Sequence, residues 1–155
     1  MKKYKLALVG ATGLVGRKAL EVLEEFNLPI SEYAFFFSIW SAGQKITFMG
    51  KEYITRELKE DSFDEGFDFA IFSAGGDTSK HFSPIAASKG CIVVDNSSAF
   101  RMDPEVPLIV PEVNMPAAFK NKGIIANPNC STIQAVLPLK ALDENVGDNE
   151  SFDKL

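Results

Sequence analysis

The amino-acid sequence predicts an α/β protein, built as a doubly wound, mostly parallel sheet with helices on both faces. Two observations favour this fold class. Short β-type runs alternate along the chain with segments of helical periodicity, without internal repeats or low-complexity tracts. Several of the β-type runs are apolar without interruption, as expected of strands that a parallel sheet covers on both faces. At 155 residues, the chain is long enough for one domain with a substantial core.

The first part of the chain predicts a strand, a glycine turn and a helix. Tyr4 to Val9 read as the strand and Gly10 to Gly16 as the turn, after which apolar residues recur at helical spacing as far as Pro29. Tyr33 to Trp40 predict a second buried strand. The runs "KITF" and "EYIT", which Met49 and Gly50 separate, then predict a hairpin.

The second part repeats the alternation. Proline residues make the stretch from Asn96 to Pro116 loop-like, with "LIV" as its only strand candidate. Pro138 is expected to kink the last helix. The remaining predicted elements are a strand from Phe67 to Ala74, a helix from Ser79 to Lys89 closed by Gly90, a strand from Cys91 to Asp95, a short strand "GIIA", and a helix from Ser131 to about Val146.

The composition limits which binding partners and which cellular compartment are expected. The net charge of −5, without any long Lys/Arg cluster, argues against nucleic acid and against an anionic membrane surface as partners. No apolar run is long enough for a membrane span, and the stretch after Lys2 and Lys3 is too short for a signal-peptide core. The expected location is therefore the cytoplasm. Cys91 and Cys130 are expected to be reduced thiols, and no metal site is expected.

The glycine turn is the first candidate site. Gly10, Gly13 and Gly16 form G-x-x-G-x-x-G directly after a buried strand and directly before a helix. In that context such glycines let backbone N–H groups and a helix N-terminus approach a pyrophosphate, so the turn predicts a Rossmann-like dinucleotide site. The alternative is a glycine-rich turn with a purely structural role.

The choice between NAD and NADP depends on the residues after the second strand. An NAD site places an acidic residue there to bind the ribose hydroxyls, but no Asp or Glu lies between Tyr33 and Lys51. An arginine for the 2′-phosphate of NADP is also absent, and the available polar groups are Ser38, Ser41, Gln44 and Lys45. The sequence favours NADP over NAD.

Cys130 is the candidate nucleophile. It lies in "ANPNCSTIQ", between an Asn-Pro-Asn turn and the start of a predicted helix. The positive end of the helix dipole favours the thiolate, which is the nucleophilic form of cysteine. From the local sequence, a structural cysteine is an equal alternative. Cys91 opens an apolar strand, which indicates a buried packing thiol.

Four motifs then identify a family resemblance. The segments "GATGLVG", "FSAGGDTS", "VVDNSSAFRMDPEVPLIVPEVN" and "NPNCSTIQ", in this order, resemble the amino-terminal half of the aspartate-semialdehyde dehydrogenase family. The match runs from about Tyr4 to Leu142. The reductases of N-acetyl-glutamyl phosphate share the architecture and a catalytic cysteine, but have a different signature around the thiol.

The resemblance implies an enzyme of lysine, threonine and methionine biosynthesis, which reduces β-aspartyl phosphate to aspartate semialdehyde with NADPH. By this analogy Cys130 forms a thioester with the substrate, Arg101 binds phosphate and Asn129 positions the substrate. Without the family match, Arg101 would be interpreted as a solvated loop charge. The positions that match the family's cofactor site are Gly10, Thr12, Gly13, Val15, Ser38, Ser73, Gly75 and Thr78.

The sequence also departs from the family pattern. Trp40 stands where the family often has the arginine that contacts the 2′-phosphate. The family's substrate and dimerisation domain, with its catalytic histidine, is not found here, and His81 is expected to be an ordinary, partly exposed helix residue. We therefore expect a dinucleotide-binding domain over residues 1–142 and a frayed acidic tail over 143–155, without the domain through which the family forms homo-oligomers. The isolated chain is expected to be inactive. The alternative is a dinucleotide-binding module without turnover.

Overall fold

The structure is a computed structural model that describes residues 3–37 and 43–146. Strands and helices alternate along most of this length, as predicted. The part of the predicted second strand from Ser38 to Trp40 lies outside the described residues. The elements in chain order are β1 (Tyr4–Val9), α1 (Leu14–Phe26), β2 (Ile30–Phe37), β3 (Lys45–Phe48), β4 (Lys51–Ile54), β5 (Arg56–Glu57), β6 (Phe69–Phe72), α2 (Gly76–Ser88), β7 (Ile92–Asp95), α3 (Pro111–Ala118), β8 (Ile124–Ala126) and α4 (Cys130–Val146).

Six strands form the main sheet, in the order β5-β2-β1-β6-β7-β8. Every strand pair in it is parallel, which confirms the predicted sheet type. Numbered by their sequence order within this sheet alone, the strands run 3-2-1-4-5-6, the order of a Rossmann fold. The order reverses between β1 and β6, so the carboxyl ends of these two strands border the crevice where such folds bind ligands.

The core lies on both faces of the sheet, as the prediction of a doubly wound fold requires. On one face, Phe36, Phe72 and Val93 pack with Ala86 of α2. On the other face, Leu8 and Phe35 pack with Leu23 of α1. Both faces of β1 and β2 are therefore covered, and this explains the buried apolar runs over residues 6–9 and 33–37.

The predicted hairpin is confirmed. β3 and β4 pair antiparallel, with Ile46 opposite Tyr53. The hairpin packs on β2 through aromatic rings, since Phe48 contacts both Tyr33 and Phe35 edge to face at centroid distances of 4.8 and 5.6 Å. These contacts hold the hairpin against the sheet face that α1 also covers.

Two predictions for the stretch between Asn96 and Pro116 are wrong. "LIV" does not form a strand, although Leu108 makes one parallel bridge to Ala126. The stretch ends instead in a helix, α3, because Pro111 occupies its first turn, where no backbone N–H donor is needed. The helix is interrupted at Asn114 (φ −143°, ψ 33°), so that Pro116 lies near the start of a second helical piece.

Other boundaries move by a few residues. β2 begins at Ile30 rather than Tyr33. α2 begins at Gly76 rather than Ser79, since Gly75 serves as its N-cap and Asp77 lies in the first turn. Gly90, at φ +85°, follows the end of α2 as predicted.

The last described element, α4, begins at Cys130 rather than Ser131 and continues through Pro138 to Val146. It therefore enters the segment 143–155 that we predicted as a frayed tail, and residues 147–155 lie outside the described part. Within residues 3–37 and 43–146, no helix has the length and apolar character to span a membrane.

Candidate functional site

The glycine turn after β1 is shaped by two close backbone approaches. Gly10 has φ +93°, and a Cβ at this position would collide with the carbonyl group of Ser73. A Cβ on Gly16 would collide with the carbonyl oxygen of Gly10 and the backbone of Ala11. Gly13 differs from both, because its φ is −67° and an added Cβ would approach only the Gly10 oxygen, at 3.6 Å. The backbone of the turn thus requires glycine at positions 10 and 16, whereas steric contacts do not require it at Gly13.

A cleft of about 360 Å³ lies beside this turn, at the point where the strand order reverses. Its volume falls in the range of small-molecule sites, roughly 300–1,000 Å³. Gly13 caps α1, and Thr78 lies in the first turn of α2, so two helix N-termini meet at the cleft. Helix N-termini favour anionic groups such as phosphates. The cleft is lined by Val9, Gly10, Thr12, Gly13, Phe37, Leu58, Ser73, Ala74, Thr78 and Phe82.

The structure brings together most of the predicted cofactor residues that it describes. Gly10, Thr12, Gly13, Ser73 and Thr78 all line the cleft. Two predicted residues do not line it. Val15 is 52 % exposed on α1, and Gly75 is exposed just before α2. Ser38 and Ser41 lie outside the described residues.

Five apolar residues of the cleft were missed by the sequence analysis, and two of them, Val9 and Ala74, lie at the carboxyl ends of β1 and β6. Phe37 follows from the parallel sheet, because it is the last described residue of β2 and lies at the same sheet edge as Gly10. Leu58 and Phe82 carry no comparable signal, since one follows β5 and the other lies in the middle of α2. These side chains add apolar lining to the glycine and hydroxyl groups of the cleft, a combination that suits the flat rings and charged phosphates of a dinucleotide.

Arg101 lies in the loop after β7 and is held by the backbone. Its Nε donates to the carbonyl oxygen of Asn127 at 2.9 Å, and its Nη2 donates to that of Asn96 at 3.2 Å. The two asparagines are themselves joined, because Nδ2 of Asn127 donates to Oδ1 of Asn96 at 2.6 Å. The guanidinium therefore connects the loop after β7 with the segment that leads to Cys130.

Cys130 is the first residue of α4 and is exposed. Asn129 caps this helix, since its side-chain Oδ1 accepts the N–H of Ser131 at 2.9 Å and its carbonyl oxygen accepts the N–H of Ile133 at 3.0 Å. The Cys130 Sγ lies 4.0 Å from the same Oδ1. The geometry confirms that the thiol stands at a helix N-terminus, and it shows a capping function for Asn129 that the sequence analysis did not include.

The other cysteine and the histidine have ordinary surroundings. Cys91 is 1 % exposed, and both cysteines are free thiols, as predicted. Burial, with a smaller contribution from the Asp68 carboxylate, raises the pKa of Cys91 to about 12. His81 lies on the exposed side of α2, with Nε2 3.2 Å from the Glu60 carboxylate. The predicted interpretations of Cys91 and His81 are confirmed.

A buried carboxylate, which the sequence analysis did not select, lies at the end of β7. Asp95 is 0 % exposed and accepts hydrogen bonds from the hydroxyl groups of Ser79 at 2.6 Å and of Ser97 at 2.7 Å. It also accepts the N–H of Ser97 at 3.2 Å. The residue directly precedes Asn96, one of the two residues that hold Arg101.

The cleft, Asp95, the Arg101 loop and Cys130 all lie at one edge of the sheet. β1 and β6 end at the cleft, β7 ends before the Arg101 loop, and β8 ends just before Cys130. Parallel strands present their carboxyl ends at the same edge, and neighbouring strands are about 4.8 Å apart. Two strand spacings, or about 10 Å, therefore separate the end of β6 at the cleft from the end of β8.

The comparisons with known proteins agree with this arrangement. The family described as "Semialdehyde dehydrogenase, NAD binding domain" matches residues 5–122. An aspartate-semialdehyde dehydrogenase from Aquifex aeolicus is 54 % identical over 93 % of this chain, which covers 43 % of that relative. The chain thus spans less than half the length of this curated relative.

Solved structures give the same result. Aspartate semialdehyde dehydrogenase II from Vibrio cholerae, complexed with ASA, matches 94 % of this chain and 48 % of its own, with a TM-score of 0.89 and 43 % identity. The enzyme from Candida albicans, solved with NADP, matches 94 % of this chain and 48 % of its own, with a TM-score of 0.75 and 26 % identity.

Proposed function

Since this chain belongs to the semialdehyde dehydrogenase family through its NAD-binding domain, we propose that it supplies the dinucleotide-binding and thiol-bearing half of an aspartate-semialdehyde dehydrogenase. The proposed reaction is the NADPH-dependent reduction of β-aspartyl phosphate to aspartate semialdehyde and phosphate, in lysine, threonine and methionine biosynthesis. One observation carries the proposal. Cys130 is exposed at the N-terminus of α4, on the same sheet edge as the cleft and the Arg101 loop.

The cleft suits a nicotinamide dinucleotide, which the family description indicates. Gly10 and Gly13 would let the pyrophosphate approach the backbone, and the hydroxyl groups of Thr12 and Thr78 would donate to it. The bound nicotinamide supplies or accepts the hydride. Our choice of NADP over NAD rests on the absence of an acidic residue between Tyr33 and Lys51, and it is supported by the NADP-bound structure of a relative.

Cys130 is the proposed nucleophile. Its thiolate attacks the acyl carbon of the aspartyl phosphate, a C–S bond forms, and the C–O bond to the phosphate group breaks. The products of this half-reaction are a thioester on Cys130 and inorganic phosphate. Reduction of the thioester then releases the aldehyde and regenerates the thiolate. The exposure of the thiol is necessary for this role, because the acyl phosphate must approach the sulfur from solvent.

We assign phosphate binding to Arg101 and substrate positioning to Asn129. The Nε and Nη2 of Arg101 each donate one hydrogen bond to a carbonyl oxygen, and the remaining N–H groups of the guanidinium can donate to a phosphate. Asn129 holds the start of α4 and lies beside the sulfur, so it fixes the direction from which the substrate reaches Cys130. We also propose that residues 1–142 form the dinucleotide-binding domain, a proposal supported by the family match over residues 5–122 and by the cleft, whose lining residues all lie within that range.

Phosphate-dependent reduction of NADP in the presence of aspartate semialdehyde tests the proposal, since the reaction is reversible. The purified chain is assayed by nicotinamide absorbance beside Cys130→Ala, with Cys91→Ala as the matched control. Turnover that Cys130→Ala abolishes and Cys91→Ala retains would establish the assignment for this chain. Turnover that survives Cys130→Ala would overturn it.

The second candidate is a dinucleotide-binding module without turnover. His81, the one histidine of the sequence, lies on α2 with its Nε2 near the Glu60 carboxylate. The cleft, by contrast, combines the glycine, hydroxyl and apolar groups that a dinucleotide site needs. Because the isolated chain is expected to be inactive, dinucleotide binding without turnover in isothermal titration fits both candidates. Labelling of Cys130 ahead of Cys91 by a thiol-reactive substrate analogue would favour the first candidate, and binding of neither NADP nor NAD would contradict both.

A further inference from the structure

Asp95 is an unusual residue for its place in the fold. The carboxylate is 0 % exposed at the end of a central strand, and no Lys, Arg or His in the described ranges forms an ion pair with it. Its partners are two serine hydroxyl groups and one backbone N–H. Burying a carboxylate without a cation costs folding free energy, so a contribution to stability alone is a poor explanation for this residue.

The first group of contacts fixes the loop that carries Arg101. The N–H and hydroxyl of Ser97 both bind the Asp95 carboxylate, which closes an Asx-type turn. The same hydroxyl oxygen then accepts the N–H of Ala99 at 3.0 Å. The chain is therefore set in a fixed path from Asp95 to within two residues of Arg101.

The second group of contacts reaches the two carbonyl oxygens that hold the guanidinium. One belongs to Asn96, the next residue in the chain, and the other to Asn127, whose N–H donates to the carbonyl oxygen of Asp95 at 2.8 Å. Both links run through the backbone of Asp95, whose position the carboxylate fixes through its bonds to Ser79 and Ser97.

The third contact leads to the cleft. Ser79, which donates to Asp95, is the neighbour of Thr78, and Thr78 lines the cleft from the first turn of α2. One buried carboxylate therefore joins the helix that borders the dinucleotide cleft to the loop of the phosphate-binding arginine.

From these three groups of contacts we propose that Asp95 is a positioning residue, which holds Arg101 where its charge acts on an anion approaching Cys130. This inference rests on the proposed function for the roles of Arg101 and Cys130. Asp95 does not touch the substrate. Asn127, which holds the guanidinium, and Cys130 are three residues apart, so their Cα atoms are at most about 11 Å from each other.

Alkylation of Cys130 in the purified chain tests the proposal without any need for turnover. Iodoacetate is anionic and iodoacetamide is neutral, so the ratio of their rates reports positive charge near the sulfur. Rates are measured at low ionic strength, with Cys91→Ala as the common background. We expect Arg101→Ala to lower the ratio about two- to fivefold, the effect of one charge at this range. Asp95→Ala should lower it to the same value, and the double variant should lower it no further.

Two further variants distinguish positioning from general damage. Asp68→Asn is the matched control, because the Asp68 carboxylate also accepts a backbone N–H, that of Lys5 at 2.8 Å. Asp68 precedes β6, at the amino ends of the parallel strands, whereas Arg101 follows the carboxyl end of β7. This control variant should leave the ratio unchanged. Ser97→Ala, which removes one donor but keeps the carboxylate, should lower the ratio partially even if Asp95→Ala does not fold. Thermal unfolding of each variant shows which ones remain folded.

The outcomes separate this inference from the proposed function. If Arg101→Ala leaves the ratio unchanged, the placement of Arg101 near Cys130 fails, and the inference fails with it. If Arg101→Ala lowers the ratio but folded Asp95→Ala and Ser97→Ala do not, the positioning role of Asp95 is wrong and the assignment of Arg101 stands.

Discussion

Arg101 and Asn127 are joined by a hydrogen bond of 2.9 Å, from the Nε of the arginine to the carbonyl oxygen of the asparagine. The bond crosses from the loop after β7 to the segment between β8 and α4. The orientation of the guanidinium is thus determined by the same backbone segment that places Cys130 at the start of its helix. The proposed phosphate site at Arg101 is therefore attached to the segment that leads to Cys130.

We first predict that Arg101→Lys weakens phosphate binding roughly tenfold, because an ammonium group cannot bridge two carbonyl oxygens and also present a planar pair of donors. Inorganic phosphate should slow alkylation of Cys130 in the parent chain, and the concentration for half-protection measures its affinity. Arg56→Lys is the matched control, since Arg56 pairs with Glu65 on the surface. Equal protection in the parent chain and in Arg101→Lys would refute the prediction.

The second prediction concerns the two thiols. At neutral pH, a thiol-reactive substrate analogue should modify Cys130, which is exposed, and leave Cys91, which is 1 % exposed, unmodified until the chain unfolds. Mass spectrometry of proteolytic peptides identifies the modified residue. Cys130→Ala should remove the rapid phase and Cys91→Ala should retain it. Modification of Cys91 ahead of Cys130 would end the nucleophile assignment.

Alkaline pH provides a third prediction. The pKa of Cys91 is about 12 in the folded chain, and an unfolded cysteine titrates near 8.5. Between these values the unfolded state loses its proton and the folded state keeps it, so the free energy of unfolding falls as pH rises. Below about pH 8 this term is constant. Denaturant unfolding between pH 8 and 11 should show the fall, and Cys91→Ala should show a smaller one. An equal slope in the variant would contradict the predicted cause.

Fourth, substitution by alanine should have different effects at two glycines of the same turn. Gly10→Ala should destabilise the fold by more than about 2 kcal/mol, because φ is +93° and the methyl group meets the Ser73 carbonyl. Gly13→Ala should change stability by less than about 0.5 kcal/mol, since its φ is −67°. It should instead weaken dinucleotide binding tenfold or more, if a backbone donor to phosphate is obstructed. Denaturant unfolding and isothermal titration measure the two effects.

The fifth prediction separates the two roles of Asn129. Asn129→Ala removes the N-cap of α4 and should cost about 1 kcal/mol of stability, whereas Asn129→Ser keeps a capping oxygen and should cost little. If the amide also positions substrate, both variants should slow labelling of Cys130 by the substrate analogue. Normal labelling in Asn129→Ser would restrict the residue to capping.

Much of the sheet could be predicted from the sequence because residues 6–9 of β1 and 33–37 of β2 are buried and therefore apolar. The glycine turn was equally accessible, since Gly10 and Gly16 are required by local sterics. α3 was not predicted, because its helix depends on Pro111 at the first position and on a break at Asn114. The side chain of Asn114 stabilises that break by accepting from Val110 N–H and donating to the Leu108 carbonyl, both at 2.9 Å.

The site residues that lie within short motifs could be predicted from the sequence. The residues that only the folded sheet brings together were harder to predict. Cys130 and Thr12 lie within motifs. Leu58 and Phe82 enter the cleft from separate elements, so no spacing in the sequence relates them. Asp95 reads as the polar end of an apolar strand, and only its burial and its three donors reveal that it organises the Arg101 loop.

The two outermost strands of the main sheet affect how copies of this chain can associate. β5 has two residues and β8 has three, which makes them the shortest strands of the sheet. The free side of β8 is also occupied, because Ala126 exchanges hydrogen bonds with Pro107 and Ile109. Little unpaired backbone therefore remains to template another strand, so amyloid-type growth by edge-to-edge strand addition is disfavoured for the folded chain.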